Sequence, residues 1–286
     1  MQEPAHNSEV RIVHLSDLHF GTVLPKLIEP LVGLIIELCP RVLVVSGDLT
    51  QRAKSSQFAA AAAFMKRIPV SKVVVPGNHD IKLWNVIRRF VDPLTNYRRY
   101  FGEKVEPMYQ DNDIVVIGVN TARSLTWKGG RISYVQMNRL SSRLVEVPAN
   151  VFKVVVMHHP IIPLSQGTVI PAVGRSRKAR DILESVRTDV IMAGHAHHRH
   201  ACRTERQLET SEHSILVIQA GTALSRRNRG MPNSFNVVDV KGEAVTVTPY
   251  EWLETRSDFK AVSSIRFAKR GIWEQATEEP ECQADN

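Results

Sequence analysis

Hydrophobic positions along the chain fall into two alternating kinds of run. Residues 42–45, 73–75, 114–119 and 190–193 are apolar on successive positions, as is 152–157 apart from Lys153, the pattern of strands buried on both faces, and 10–15 is a short β-type run interrupted by Arg11 and His14. Between them lie segments with helical spacing. Leu27, Leu31, Leu34, Ile35 and Leu38 form one stripe over 25–38, and Phe58, Ala62 and Met65 form another within an alanine-rich stretch over 53–68. Ser133 followed by Gln136 has the form of a capping box and starts a helix over 133–144, while 175–186 reads as an amphipathic basic helix. After residue 199 the pattern is mainly β, with strands expected at 215–219, 235–240 and 244–250. Strands alternating with helices predict an α/β (α+β) fold built on a mainly parallel or mixed sheet.

Composition changes this picture little: 43% hydrophobic and 23% charged residues are ordinary for a globular chain of 286 residues. A flexible N-terminus over 1–9, one domain over 10–270 and an acidic, disordered tail over 271–286 are expected, with no internal repeat or linker. The formal charge of +8 favours anionic partners, whether nucleotides, nucleic acid or acidic headgroups. Cys39, Cys202 and Cys282 are odd in number and far apart, which argues against a disulfide framework and fits a reducing compartment. Residues 1–9 lack an apolar signal core, and the longest apolar stretch, 31–38, is too short to span a bilayer, so a soluble cytoplasmic protein is expected. None of these signals bears on oligomeric state.

The candidate chemistry sits where the strands stop. Residues 73–75 run into Pro76-Gly77-Asn78-His79-Asp80, which puts an amide, an imidazole and a carboxylate at the lip of a sheet. The Asn78 amide oxygen is a neutral metal ligand, His79 can move a proton, and Asp80 can hold that imidazole in one orientation. Asp17 and His19 follow the first strand two residues apart, so in an extended segment they point to one side. Asp48 ends the second strand, His158-His159 the 152–157 strand, and His195 and His197 the 190–193 strand. Ligands in open α/β sheets gather beyond the carboxyl ends of the strands. Oxygen and nitrogen donors without cysteine suit Mn, Fe or Zn, and their number suits two divalent or mixed-valence ions.

Other residues are candidates for a substrate rim. Arg52 lies just beyond Asp48, and residues 83–100 interleave Trp84, Tyr97 and Arg98 with further arginines, a pattern that fits a phosphate-neutralising rim or a solvated helix face. Trp84, Tyr97 or Trp127 can stack a base, and Arg98 or Arg226 can hold an extra phosphate. Residues 127–131, with the Gly129-Gly130 pair, read as an exposed loop, and 225–230 as a flexible one.

The ordered set Asp17-Leu18-His19, Gly47-Asp48, Gly77-Asn78-His79-Asp80, His158 and Gly194-His195-Ala196-His197 resembles the DxH, GD, GNH(D/E), H and GHxH motifs of the calcineurin-like metallophosphoesterase superfamily. The resemblance covers about residues 10 to 250, and five motifs in order are far more specific than any one. Within the superfamily it is most like the bacterial class III cyclic-nucleotide phosphodiesterase branch. It implies a four-layer sandwich of two mixed β-sheets flanked by helices. It further implies that Asp17, His19 and His197 bind one metal, that Asn78, His158 and His195 bind the other, and that Asp48 bridges them. His159 takes a supporting or substrate-binding role. The implied reaction is attack of a metal-bridging hydroxide on a small anionic phosphodiester, foremost a cyclic nucleotide, with His79 protonating the leaving oxygen. Gln51 stands where the protein phosphatases of the superfamily carry a carboxylate that orients the catalytic histidine, and Asp80 is the expected substitute. A lipid-linked nucleotide pyrophosphatase is the alternative. A nuclease is less favoured because no nucleic-acid-clamping domain is visible, and a metal-binding interaction module that has lost catalysis is a non-enzymatic reading.

Overall fold

The computed structural model describes residues 9–82, 91–124, 129–166, 168–197, 199–203 and 213–276. In chain order the first half holds β1 (Val10–Leu15), α1 (Ile28–Leu38), β2 (Val42–Val45), α2 (Ser55–Lys66), β3 (Ser71–Val74), α3 (Thr95–Phe101), β4 (Met108–Gln110), β5 (Ile114–Val119) and α4 (Tyr134–Val145). The second half holds β6 (Phe152–Met157), β7 (Leu164–Gln166), β8 (Thr168–Ile170), α5 (Ser176–Ser185), β9 (Val190–Ala193), β10 (His200–Arg203), β11 (Leu216–Gln219), β12 (Ser234–Lys241), β13 (Ala244–Leu253), β14 (Asp258–Ala261), β15 (Ile265–Arg270) and β16 (Ile272–Gln275).

These strands make two mixed sheets, ordered β16-β15-β13-β12-β1-β2-β3, with β14 on β13, and β10-β11-β9-β6-β5-β4. Val42 and Val44 face a core shared with Val154, Val156, Val190 and Met192, so the two sheets pack face to face. Leu43 and Val45 face the opposite way, onto Leu31, Ile35 and Phe58 of α1 and α2. In the second sheet Val155 and Met157 meet Leu140 of α4 and Leu183 of α5. The four-layer α/β/β/α order explains why central strands such as β2, β5 and β9 read as unbroken apolar runs: they are covered on both sides. The capping box forms, with Ser133 Oγ accepting from the Gln136 amide at 3.2 Å and Gln136 Oε1 accepting from the Ser133 amide at 3.0 Å.

β1, β2 and β3 run parallel, as do β5, β6, β9 and β11, so their carboxyl ends share one edge of the sandwich. The tail expected from residue 271 is corrected over Ile272–Gln275, which pairs with β15. There Trp273 is fully buried, and its indole N–H donates to the Asp189 carbonyl at 3.1 Å. An aromatic that fills the core between sheets outweighs the polar composition around it. Residues 1–8 and 277–286, including Cys282, lie outside the described residues. Among the described residues no helix is long and apolar enough to cross a membrane.

Candidate metal centre

Five of the expected ligands share a backbone state: Asp17 (φ 52°), His19 (47°), Asp48 (52°), His195 (71°) and His197 (61°) all lie in the left-handed region. Each such non-glycine residue costs on the order of 1–3 kcal/mol and persists only where its surroundings hold it. The expectation that Asp17 and His19 converge through an extended segment is therefore corrected, because two left-handed turns beyond β1 bring them together. The loops are held by the Asp17 amide donating to the Gly47 carbonyl at 3.1 Å and the His19 amide to the Asp48 carbonyl at 2.9 Å. Asp17 Oδ2 accepts from Ser16 Oγ at 2.7 Å and from the His195 amide at 2.9 Å, which leaves Oδ1 to face the cluster.

His19 Nε2 lies 3.6 Å from Asp17 Oδ1 and 3.7 Å from Asp48 Oδ2. His197 Nε2 is 3.5 Å from Asp17 Oδ1, and His158 Nε2 is 3.4 Å from Asp48 Oδ1. Beside them, His158 Nε2 approaches Asn78 Oδ1 at 3.1 Å and His195 Nδ1 at 3.2 Å. Nearly all these groups are buried, and Asp17 Oδ1, His19 Nδ1 and His19 Nε2 find no hydrogen-bond partner among the described residues. Separations of 3.4–3.7 Å are too long for good hydrogen bonds. They approach the spacing of roughly 3.0–3.4 Å expected of two ligands about 2.1 Å from one ion. Asp17, His19 and His197 form one set, and Asp48 and His158 extend it toward Asn78 and His195. The donor set fits two metal ions.

The electrostatics fit as well. Burial opposes ionisation of both carboxylates, yet His197 holds Asp17, and His158 holds Asp48, well below the usual carboxylate range. Burial pushes His195 and His197 down to about 4, leaving neutral imidazoles. His158 differs: burial is outweighed by Asp48, which lifts the ring to about 9 and supplies the positive charge Asp48 calls for. A cation at that place meets the same demand. Polar partners behind the rings aim them inward: His158 Nδ1 donates to the Ser46 carbonyl at 2.8 Å, and His197 Nδ1 bonds Thr222 Oγ1. His14, buried within β1, bonds Ser46 Oγ at 2.9 Å and braces the same residue. Gly77 is required by close approach, since a Cβ there would stand 2.1 Å from Asp48 Oδ1.

At the mouth, the His79 amide donates to Asp48 Oδ1 at 2.8 Å, and His79 Nδ1 donates to the Gln51 backbone carbonyl at 2.9 Å. The expected orienting role of Asp80 is corrected. Its carboxylate turns away, accepting from the amides of Gly77 (2.9 Å), Leu49 (3.1 Å) and Thr50 (2.9 Å) and from Thr50 Oγ1 (2.9 Å). Burial, with Asp48 nearby, raises Asp80 to about 6.

The substrate-rim candidates scatter. Tyr97 is corrected to a core residue: it is 1% exposed, and its hydroxyl donates to the Val74 carbonyl at 2.7 Å. Arg98 is engaged by Asp92, with Glu103 at 3.9 Å, and Arg52 is exposed beside the entrance to α2. His159 is buried beside His158 and His195, its ring centroid 4.8 Å from that of His195, with Nδ1 2.8 Å from Thr121 Oγ1. In the loop expected to be exposed, Gly129 and Arg131 are exposed but Gly130 is buried against His159, and a Cβ there would meet His159 Nδ1 at 2.2 Å. Trp84 and Trp127 lie outside the described residues. Arg226 points to solvent, and its neighbour Arg227 reaches the site, bonding His79 Nε2 at 3.0 Å and Gln51 Oε1 at 3.2 Å. Three arginines in one loop were the available signal; which of them turns inward depends on how Ser225 is anchored. Thr222 and His14, as supports, carried no motif.

A family model described as calcineurin-like phosphoesterase matches residues 10–199. A protein of Ruthia magnifica subsp. Calyptogena magnifica described as a probable cyclic nucleotide phosphodiesterase is 21% identical over 194 residues, 65% of this chain and 77% of that protein. The fold is similar to purple acid phosphatase PPD1 from yellow lupin (Lupinus luteus) seeds, with a TM-score of 0.68 and 14% identity over 95% of this chain. The chain spans only 55% of that phosphatase's length. A dimetal phosphatase from Danio rerio superposes with a TM-score of 0.63 at 11% identity, over 89% of this chain and 98% of its own.

Proposed function

The chain belongs to the calcineurin-like phosphoesterase family, a hydrolase of phosphoesters with a dinuclear metal site, and on that premise we propose that it cleaves small anionic phosphodiesters, foremost a cyclic nucleotide. One observation carries the reading. Asp48 presents Oδ2 to His19 at 3.7 Å and Oδ1 to His158 at 3.4 Å, so a single carboxylate serves both halves of the donor set. In this reading Asp17, His19 and His197 hold one ion, Asn78, His158 and His195 hold the other, and Asp48 touches both. Mn, Fe and Zn all suit this oxygen and nitrogen set.

When bound, the ions supply Lewis-acid activation of water and neutralise charge on the phosphoryl oxygens. The chain supplies the rest. Ser16, Ser46 and Thr222 aim the ligands, and the Gln51 carbonyl pins Nδ1 of His79 so that Nε2 is the ring atom turned to the leaving oxygen, which it stabilises or protonates. The Ruthia magnifica relative's description and the net charge of +8 support a nucleotide-like anion. Cysteine usage supports a reducing, cytoplasmic setting.

The test is turnover of bis(p-nitrophenyl) phosphate against p-nitrophenyl phosphate, on protein stripped of metal and reconstituted with Mn, Fe or Zn. Metal-dependent preference for the diester is expected, and cyclic nucleotides are then screened. Preference for the monoester would replace this reading with a phosphomonoesterase.

A further inference from the structure

Arg227 makes contacts that conflict with His79 serving as a proton donor in the free protein. His79 Nδ1 faces the Gln51 carbonyl at 2.9 Å, and a carbonyl only accepts, so Nδ1 carries the ring proton. Nε2 is then an acceptor, and it takes a hydrogen bond from the Arg227 guanidinium at 3.0 Å. A guanidinium has donors and no acceptor, so the pairing has only this sense.

The loop that carries Arg227 is anchored. Ser225 Oγ accepts from the Arg227 amide at 3.0 Å, the Ser225 carbonyl accepts from Asn233 Nδ2 at 2.8 Å, and the Arg226 amide donates to the Thr22 carbonyl at 3.1 Å. Thr222, which orients His197, belongs to the same stretch. The backbone is therefore fixed beside the candidate metal centre, and the guanidinium arm is what can move. Its partners are an imidazole nitrogen and the Gln51 side-chain oxygen, both neutral. Among the described residues no carboxylate lies within ion-pair range of it. A phosphoryl oxygen offers the guanidinium a full negative charge and two parallel N–H···O bonds, neither of which its present partners supply.

We propose that Arg227 is a phosphate-binding residue kept in reserve on His79. In the free protein its guanidinium occupies the Nε2 edge; an anionic phosphoryl oxygen arriving at the metal centre draws it away. The Nε2 edge of His79 is then uncovered toward the leaving oxygen. This rests on the phosphodiesterase reading for its kinetic consequence, whereas the contact with phosphate can be tested without turnover.

The test uses full-length, zinc-reconstituted wild type, Arg227→Met and Arg227→Lys, with melting temperature and metal content measured for each. Inorganic phosphate is titrated calorimetrically, and the His79 ring nitrogens are followed by NMR. Arg227→Met is expected to weaken phosphate binding about tenfold or more, loss of one charge-assisted contact, with Lys restoring part of it. Phosphate is expected to shift the His79 Nε2 resonance in wild type and to shift it much less in the Met variant. KM for the diester rises in step, carrying most of the loss in kcat/KM. Phosphate affinity within twofold of wild type in the Met variant, or a His79 signal indifferent to phosphate in wild type, overturns the proposal. Wild type inactive on every diester defeats the phosphodiesterase reading instead, while the titration still decides the role of Arg227. Should the Met variant not fold, Arg227→Lys, which keeps the charge but not the planar fork, decides the matter in the same two readouts.

Discussion

His79 Nδ1 stands 2.9 Å from the backbone carbonyl of Gln51, so a peptide group and not a carboxylate orients this edge of the imidazole. That contact accounts for the glutamine at a position where the protein phosphatases carry a carboxylate. The carbonyl accepts the ring proton whatever side chain follows it, and the Gln51 amide is left to hold Arg227 at 3.2 Å. Asp80 is released from the orienting task and ties the Gly77–Asp80 turn to Leu49 and Thr50.

His79 contacts Asp48 through its amide, and its ring is in none of the clustered donor groups among the described residues. Replacement by alanine is expected to leave both ions bound and to lower kcat by about 10² to 10⁴, the usual contribution of a general acid. Elemental analysis beside steady-state kinetics checks it; a variant that loses metal in parallel with activity would make His79 a ligand.

Asp80→Asn puts an amide where four donors converge on two carboxylate oxygens. At least one buried backbone N–H is left without an acceptor, at about 1–3 kcal/mol each. A fall in melting temperature of roughly 2–6 °C is expected. An unchanged melting temperature with a collapse in kcat would restore Asp80 as the residue that orients His79.

Strands and the clustered candidate ligands were legible in the sequence for the same reason. A β-run covered on both faces is apolar nearly throughout, as β2 is, and as β6 is apart from Lys153, so the polar residue that ends each one stands out. The short edge strands were not legible: in β4 and β10 exposed and half-buried residues mix without a clear period. Tyr97 was misread because an aromatic among arginines looks the same in sequence whether its hydroxyl reaches solvent or, as here, the Val74 carbonyl. Arg227 was missed for its neighbour because a loop has no period to say which side chain turns inward. The left-handed turns at Asp17, His19, His195 and His197 have no signature in non-glycine residues, though they are what makes the ligands converge.

His14 gives the protein an acid sensitivity that can be isolated. Burial holds its folded-state pKa at about 3, against about 6.5 in the unfolded chain. Between these values the unfolded chain binds the extra proton, so this group's contribution is intact above pH 6.5 and is lost as pH falls, by about 1.4 kcal/mol per unit. His14→Gln, which can still bond Ser46, removes that slope. Urea denaturation at pH 7 and pH 5 is expected to show the variant gaining about 2 kcal/mol on wild type at the lower pH. Parallel losses in the two proteins would show that His14 does not carry the effect.

Asp48 is the position where both halves of the centre fail together. Its two oxygens face His19 and His158, whereas Asp17 Oδ1 faces His19 and His197. Asp48→Ala is therefore expected to bring metal content from two ions per chain to below one and to abolish turnover, while Asp17→Ala weakens one ion more than the other. Gly77→Ala supplies an independent route to the same state, because the added methyl would lie 2.1 Å from Asp48 Oδ1 and must displace it without removing any ligand. Equilibrium dialysis against manganese, followed by elemental analysis, separates these outcomes. If Gly77→Ala loses metal as Asp48→Ala does, the geometry of that carboxylate, and not only its charge, holds the pair of ions together. Two tightly bound ions in Asp48→Ala would show that the centre does not depend on a shared carboxylate, and the assignment of Asp48 between the two halves would fall.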